Sequence, residues 1–201
     1  MLIVRRAAEA LFRLRREDTV GSIVVTLGPS GTCSEFVLLQ NLSRFPQPVT
    51  VKLFPSYEPA SEAVENGEAD FVLVAAAFPG LNGLVFGPRH RLRIVDCFLS
   101  DTPELVIATG LSCSDNPRTV ACAAAPLPVV RARYPNAEIV TALSNSDAAQ
   151  LVRKGIADAA FTTRIAAQAE RLTPISSFGF ISMGWIVMGQ HTSEAVVSAG
   201  R

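Results

Sequence analysis

The sequence predicts an α/β protein of two lobes, with a ligand cleft between them. Three observations carry the two-lobed prediction. Short β-branched runs alternate with helical patterns from about residue 22 onward, the order of parallel strands joined by crossover helices. Pro and Gly punctuation splits these units into a first set ending near residue 103 and a second over about 104–175. One theme, cap then helix then Gly then Asp then buried strand, occurs at residues 56–70 and again at 144–158. With 201 residues and an apolar fraction of 49%, the chain can bury a core in each lobe.

Taken in order, residues 1–20 read as an N-terminal arm. Arg5-Arg6 interrupts Met1–Val4, so no secretory apolar region forms, while residues 7–16 have amphipathic helical spacing. A transit peptide is the other reading, against which Glu9, Glu17 and Asp18 count. Strands are predicted at 23–27, 49–54, 70–76, 92–98, 104–109, 119–123, 138–141, 157–162 and 186–188. Helices are predicted at 34–42, 56–65, 127–134, 146–154 and 163–171. The expected domains are 21–103 plus 176–192 for the first lobe and 104–175 for the second, with a tail at 193–201.

The most informative stretch is Thr26-Leu-Gly-Pro-Ser-Gly-Thr-Cys-Ser-Glu35. A strand meets a Gly-Pro-x-Gly turn, and small hydroxyl residues then open a helix. The first N–H groups of a helix lack internal partners and lie at the positive end of its dipole, so this order builds an anion pocket. Neither the phosphate-loop spacing with its Lys nor the dinucleotide-binding glycine pattern is present. A carboxylate suits the turn better than a nucleotide; an ordinary capped strand–helix turn is the plain alternative.

Composition excludes several classes. Formal net charge is zero, which gives no footing for nucleic acid or an anionic membrane surface. No apolar run approaches the ~18 residues of a membrane span. Four scattered cysteines and two histidines give no metal-ligand spacing, so no metal or other cofactor is expected. Cys97 and Cys122 at apolar positions suggest a reduced, cytoplasmic protein.

Leu27-Gly-Pro-Ser-Gly-Thr-Cys-Ser-Glu35 resembles the Gly-Pro-Glu-Gly-Thr-Phe-Ser motif of prephenate dehydratases. Gly67-Glu-Ala-Asp70 and Ser144-x-Ser-x-Ala-Ala149 extend the similarity over roughly residues 22–190. The resemblance implies a two-lobed α/β fold like that of the type 2 periplasmic binding proteins, with the active site between the lobes. Where dehydratases carry Thr-Arg-Phe, this chain has Met183-Gly184-Trp185, so the resemblance puts Met183 and Gly184 where that family has its catalytic Thr and substrate-binding Arg. The prephenate decarboxylases of bacilysin-type pathways are similar there, with Met-Ser-Trp, and share Asp101-Thr-Pro103 and the Thr-Leu-Gly-Pro opening. That branch implies loss of CO₂ with retention of the hydroxyl, giving dihydro-4-hydroxyphenylpyruvate for antibiotic-type amino acids. The chain departs from it at Ala75–Gly80 and Cys122–Ala125, where strand ends have become smaller and less polar.

The resemblance and the turn together nominate site residues. Ser30, Gly31, Thr32 and Ser34 would hold one carboxylate, and Ser144 and Ser146 the pyruvyl end, with Thr162, Thr163 and Met183 also at the substrate. Trp185 is expected as an apolar wall against the ring, or else as core. Glu35 and Asp101 are candidate proton donors, as is Glu104; a dipole-complementing carboxylate and a lobe-crossing turn are the plain alternatives for Glu35 and Asp101. Arg164 is expected to face solvent, with a carboxylate in the cleft as its other reading, and the Arg89–Arg93 cluster to attract anions. The partner is a small-molecule carboxylate, prephenate, with a homodimer also considered. A catalytically silent binding module of the same fold is the second functional reading, and residual dehydratase activity the third.

Overall fold

In a computed structural model of the chain, residues 21–87, 92–110 and 116–190 are described. The arm at 1–20, the tail at 193–201, Cys113, both histidines and the cluster at 89–93 apart from Leu92 and Arg93 lie outside them. The order is β1 (Ser22–Leu27), α1 (Cys33–Gln40), a 3-10 turn (Leu42–Arg44), β2 (Val49–Phe54), α2 (Tyr57–Glu65), β3 (Phe71–Ala75), α3 (Leu81–Val85) and β4 (Leu92–Asp101). It continues with β5 (Leu105–Thr109), β6 (Thr119–Cys122), α4 (Leu127–Arg133), β7 (Glu138–Thr141), α5 (Asn145–Arg153), β8 (Ala159–Thr163), α6 (Arg164–Ala169), β9 (Thr173–Gly179) and β10 (Ser182–Gln190).

Two five-stranded sheets result, ordered β2-β1-β3-β10-β4 and β7-β6-β8-β5-β9. Both follow one plan: two parallel pairings, then two antiparallel ones. Helices cover both faces of each sheet, which is why the central strands read as unbroken apolar runs. Val24 packs with Val37, Leu38, Leu73 and Trp185 on one face. Its neighbour Val25 points to the other, with Tyr57, Ala60, Val64 and Val72. In the second lobe Val120 and Phe161 pack with Val130 and Tyr134, while Ala121 and Ala160 pack with Ala148, Ala149 and Ala167.

The repeated theme has a structural cause. Gly67 and Gly155 end α2 and α5 at φ +78° and +71°. The aspartates that follow stitch strand starts together. Asp70 accepts from the Ile23 amide at 2.9 Å, and Asp158 accepts from the Arg118 and Thr119 amides at 2.9 and 3.0 Å. Those backbone bonds, Thr119 foremost, hold the Asp158 carboxyl below its ordinary range. Both aspartates stand at the strand ends opposite the cleft.

Three elements differ from the sequence expectation. Residues 173–179 form an edge strand, where Pro174 is tolerated because only one side needs pairing. The last strand is nine residues long rather than three, since β3 and β4 flank it on both sides. The short helix α3 carries no periodic signal of its own. Two crossings join the lobes, between β4 and β5 and between β9 and β10. Buried Thr102 ties them together: its amide donates to the Ile181 carbonyl, and its hydroxyl accepts from the Ile181 amide, both at 3.0 Å.

Candidate functional site between the lobes

The turn after β1 is built as a cradle. Thr32 caps α1: its hydroxyl donates to the Leu27 carbonyl at 2.8 Å and accepts from the Glu35 amide at 3.2 Å. Glu35 reaches back to accept from the Gly31 amide at 2.6 Å and from the Ser30 hydroxyl at 2.8 Å. This reciprocal arrangement leaves the Thr32 and Ser34 amides without a protein acceptor among the described residues, while the Cys33 amide turns to its own sulfur. Gly31 sits at φ +91°, a conformation costly for any residue with a Cβ.

The second lobe repeats the device. Ser144 caps α5 by accepting from the Asp147 amide at 3.1 Å, and Asp147 reaches back to the Leu143 amide at 2.8 Å. The two helix starts meet across the cleft. Thr163 donates to the Gly31 carbonyl at 2.8 Å, and Asn145 Nδ2 donates to Cys33 Sγ at 3.1 Å. A Cβ on Gly31 would lie 3.3 Å from Ser146 Oγ. Ser146 is 3% exposed, and its hydroxyl has no partner among the described residues. The structure therefore brings Gly31, Thr32, Ser34, Ser144, Ser146, Thr162 and Thr163 to one junction of helix starts.

Several nominated residues do other work. Trp185 is fully buried in the first-lobe core, its indole N–H donating to the Ser100 carbonyl at 3.1 Å, so it is not a cleft wall. Met183 is half-buried against that same core. Asp101 is exposed, the last residue of β4 and opposite Ser182, at the lobe crossing. Glu35 carries its helix cap as an acceptor, which argues against a proton donor. Thr162 donates to the Asn145 carbonyl at 2.6 Å and so supports α5. Ser30 is exposed on the rim.

Arg164 does not simply face solvent. Its Nε and Nη2 grip the Glu104 carboxylate, Nη2 at 2.7 Å, and Ser177 donates to the same carboxylate at 2.7 Å. These partners, Arg164 first, hold the Glu104 carboxyl down at about 2, so it is ionised rather than an acid at neutral pH.

Tyr57, Cys33 and Asn145 are the residues that sequence reasoning missed. The Tyr57 hydroxyl shares a 2.6 Å hydrogen bond with Ser34 Oγ and accepts from the Ala75 amide at 3.3 Å, linking the cradle to the end of β3. Burial pushes its phenol up to about 12 and the Cys33 thiol up to about 11, so both are neutral. The position of Tyr57 one residue after the Ser56 cap was the available signal for it. Asn145 follows the Ser144 cap in the same way. Among the described residues, no group of three or more His, Cys, Asp or Glu is arranged to hold a metal ion, and no helix is long and apolar enough to cross a membrane.

No family model matches the sequence. Individual proteins do. A prephenate decarboxylase of Bacillus subtilis (strain 168) is 27% identical over 188 residues, covering 88% of this chain and 91% of that protein. A prephenate decarboxylase of Planktothrix agardhii is 31% identical over 185 residues, covering 85% and 89%. A prephenate dehydratase of Mycobacterium tuberculosis (strain H37Rv) is 31% identical over 161 residues, 72% of this chain but 50% of its own length.

Among solved structures, the prephenate dehydratase of Arthrobacter aurescens in complex with L-Phe matches with TM-score 0.65 at 19% identity. That match covers 85% of this chain, which spans 61% of the dehydratase chain. The periplasmic VFT2 domain of Bordetella pertussis BvgS matches with TM-score 0.56 at 22% identity, covering 90% of this chain and 85% of that one. The fold is thus the two-lobed α/β fold of type 2 periplasmic binding proteins and prephenate dehydratases. These likenesses overturn the cytoplasmic expectation. Periplasmic domains are among the fold's members, and the cysteines give no support, since Cys122 is buried but Cys97, expected in the core, is exposed. At 31% identity to a decarboxylase of which it spans 89%, the chain belongs to the family of prephenate decarboxylases and dehydratases.

Proposed function

We propose that this chain binds prephenate between its lobes and decarboxylates it without expelling water. The observation that carries this reading is the pair of capped helix starts facing each other, each with unpartnered N–H groups suited to a carboxylate. Prephenate has two carboxylates. One would lie in the Ser30–Ser34 cradle, and the pyruvyl end against Ser144 and Ser146.

The chemistry follows from what the site lacks. Dehydration needs an acid for a poor leaving group, and Met183-Gly184 offers neither that acid nor a guanidinium. A charged Arg–carboxylate hydrogen bond is worth roughly 1.5–3 kcal/mol, which Gly184 cannot supply. In decarboxylation the C–CO₂ bond breaks and its electron pair spreads into the ring diene. A proton then arrives at the far diene carbon, and the hydroxyl stays. With Glu35 and Glu104 both engaged as acceptors, a water held in the cleft is the proton source this reading favours. The product, dihydro-4-hydroxyphenylpyruvate, is a keto acid of the kind drawn into non-proteinogenic amino acids.

A second reading rests on a specific observation: both glutamates at the site are already partnered as acceptors, and the strand ends Ala75–Ala76 and Ala123–Ala125 are small and apolar. A ligand-binding or regulatory module of the same family would carry such a cleft. Incubation with prephenate followed by mass spectrometry separates the two. Loss of CO₂ alone supports the decarboxylase. Unchanged prephenate with ligand-dependent stabilisation supports the binding module. Loss of CO₂ and water together would show a dehydratase and overturn the argument from residues 183–184. Self-association through residues 1–20 belongs to the same proposal, and light scattering with and without that segment tests it.

A further inference from the structure

We propose that Thr163 and Asn145 are positioning residues that latch the second lobe onto the Gly31–Cys33 turn, and that a bound carboxylate tightens this latch through Ser146. The second half rests on the cleft being the ligand site, as argued above; the first half does not.

Sequence reasoning assigned Thr163 to the substrate. Its hydroxyl is already fully used. The proton goes to the Gly31 carbonyl at 2.8 Å, across the lobes, and the oxygen accepts from the Ala166 amide at 3.0 Å. One buried side chain therefore caps α6 in its own lobe and grips the other. Asn145, next to the α5 cap, makes the second cross-lobe bond to Cys33 Sγ at 3.1 Å. The absence of a Cβ at Gly31 permits this approach, since Ser146 Oγ and Ala166 would meet one at 3.3 and 3.5 Å. The two crossings that Thr102 ties together stand beside the latch, since Leu105 is the strand partner of Thr163 and the Arg164 amide donates to the Glu104 carbonyl at 2.8 Å. Two hydrogen bonds placed just beyond a two-stranded tether fix the angle at which the lobes meet, as a catch does at a hinge.

Ser146 gives the catch a reason to respond to ligand. Its hydroxyl is buried at this junction without a partner among the described residues, an unfavourable state that an acceptor in the cleft relieves. A carboxylate oxygen reaching the α5 start would accept from Ser146 and from the free amides together. Closure would then be favoured when the ligand is present and disfavoured when it is absent.

The three described cysteines supply the test. Cys33 lies under the latch, Cys97 is exposed, and Cys122 is buried in the second-lobe core. The full chain is treated with iodoacetamide, and each cysteine is followed by peptide mass spectrometry, with rates normalised to the unfolded chain. Cys33 should react more slowly than Cys97, and more slowly still with prephenate present. Thr163→Val should speed Cys33 roughly fivefold, the opening expected from one lost buried hydrogen bond, while Cys122 stays protected. Thr163→Ser should restore the slow rate. Ser146→Ala should abolish the prephenate effect.

Equal acceleration of Cys33 and Cys122 in Thr163→Val would overturn the latch, because Thr163 would then serve only the fold of its lobe. An unchanged Cys33 rate would overturn it too. Acceleration in Thr163→Val with no prephenate effect in the wild type would leave the latch standing and refute prephenate as the ligand. Prephenate protection undiminished in Ser146→Ala would refute the role of Ser146.

Discussion

Gly31→Ala is the sharpest test of how the cradle is built. The residue sits at φ +91°, and placing a Cβ there costs roughly 1–2 kcal/mol in backbone strain. The new methyl would also meet Ser146 Oγ at 3.3 Å and Ala166 at 3.5 Å. Both contacts lie on the other lobe, so relief requires the lobes to part or the turn to move. Moving the turn in turn strains the 2.6 Å bond from the Gly31 amide to Glu35. We expect a loss of about 1–2 kcal/mol in stability, or roughly 2–8 °C in melting temperature for a chain of this size. Ligand binding should weaken as well. Urea unfolding followed through the fluorescence of the single, buried Trp185 measures the first effect. Titration with prephenate measures the second. Gly83→Ala is the control: Gly83 lies inside α3 with nothing within 4 Å of its would-be Cβ, so alanine should stabilise by about 0.5–1 kcal/mol. If Gly31→Ala proved as benign as Gly83→Ala, the close cross-lobe packing argued for the turn would be wrong.

Three further outcomes are expected. Trp185→Phe removes the indole bond to the Ser100 carbonyl and part of a fully buried side chain, and should cost about 1–3 kcal/mol, measured by denaturant unfolding monitored by circular dichroism. Glu104→Gln should lower melting temperature at neutral pH. Because the folded carboxyl lies at about 2, below an unfolded value of about 4.3, the wild-type advantage should be complete above pH 5 and fade as pH falls toward 2; an advantage unchanged at pH 2 would contradict the assignment. Met183→Thr with Gly184→Arg should shift products toward phenylpyruvate only when Ala76→Gly is added. A Cβ at Gly184 would stand 3.2 Å from the Ala76 methyl, and mass spectrometry of the products compares the two variants.

The alternation of strands and helices was legible because both faces of each sheet are covered, which turns the central strands into apolar blocks between polar helix faces. The helix starts were legible too: Thr32 and Ser144 announce themselves as caps through local chemistry alone. What local chemistry does not encode is which distant backbone a side chain meets. Thr163 and Gly31 are 132 residues apart, and nothing near either names the other. Trp185 shows the same limit from the other direction. Beside Met183 and Gly184 it reads as a site residue, yet strand alternation turns it into the core between β3 and β4. Arg164 at a helix start reads as misplaced until Glu104, across β5 and β8, is seen to neutralise it.

That neutralisation bears on how a dianionic ligand would be held. Arg164 stands next to Thr163 at the cleft junction, but two of its nitrogens are committed to Glu104, whose other support is Ser177. The two-pronged grip and the Ser177 hydroxyl favour the pair, by the modest amount expected of a solvent-accessible ion pair. The remaining donors at the junction are the backbone amides of Thr32 and Ser34 and the Ser146 hydroxyl, none of which titrates near neutral pH. Such donors hold a carboxylate by position and helix dipole without adding a formal positive charge. For a reaction in which negative charge must leave the carboxylate and flow into a ring, a site that binds without a strong countercharge holds the ground state less tightly. On the decarboxylase reading, an arginine at position 184 would instead stabilise the carboxylate in place. On that reading, the glycine at 184 and the tied arginine at 164 therefore act in the same direction.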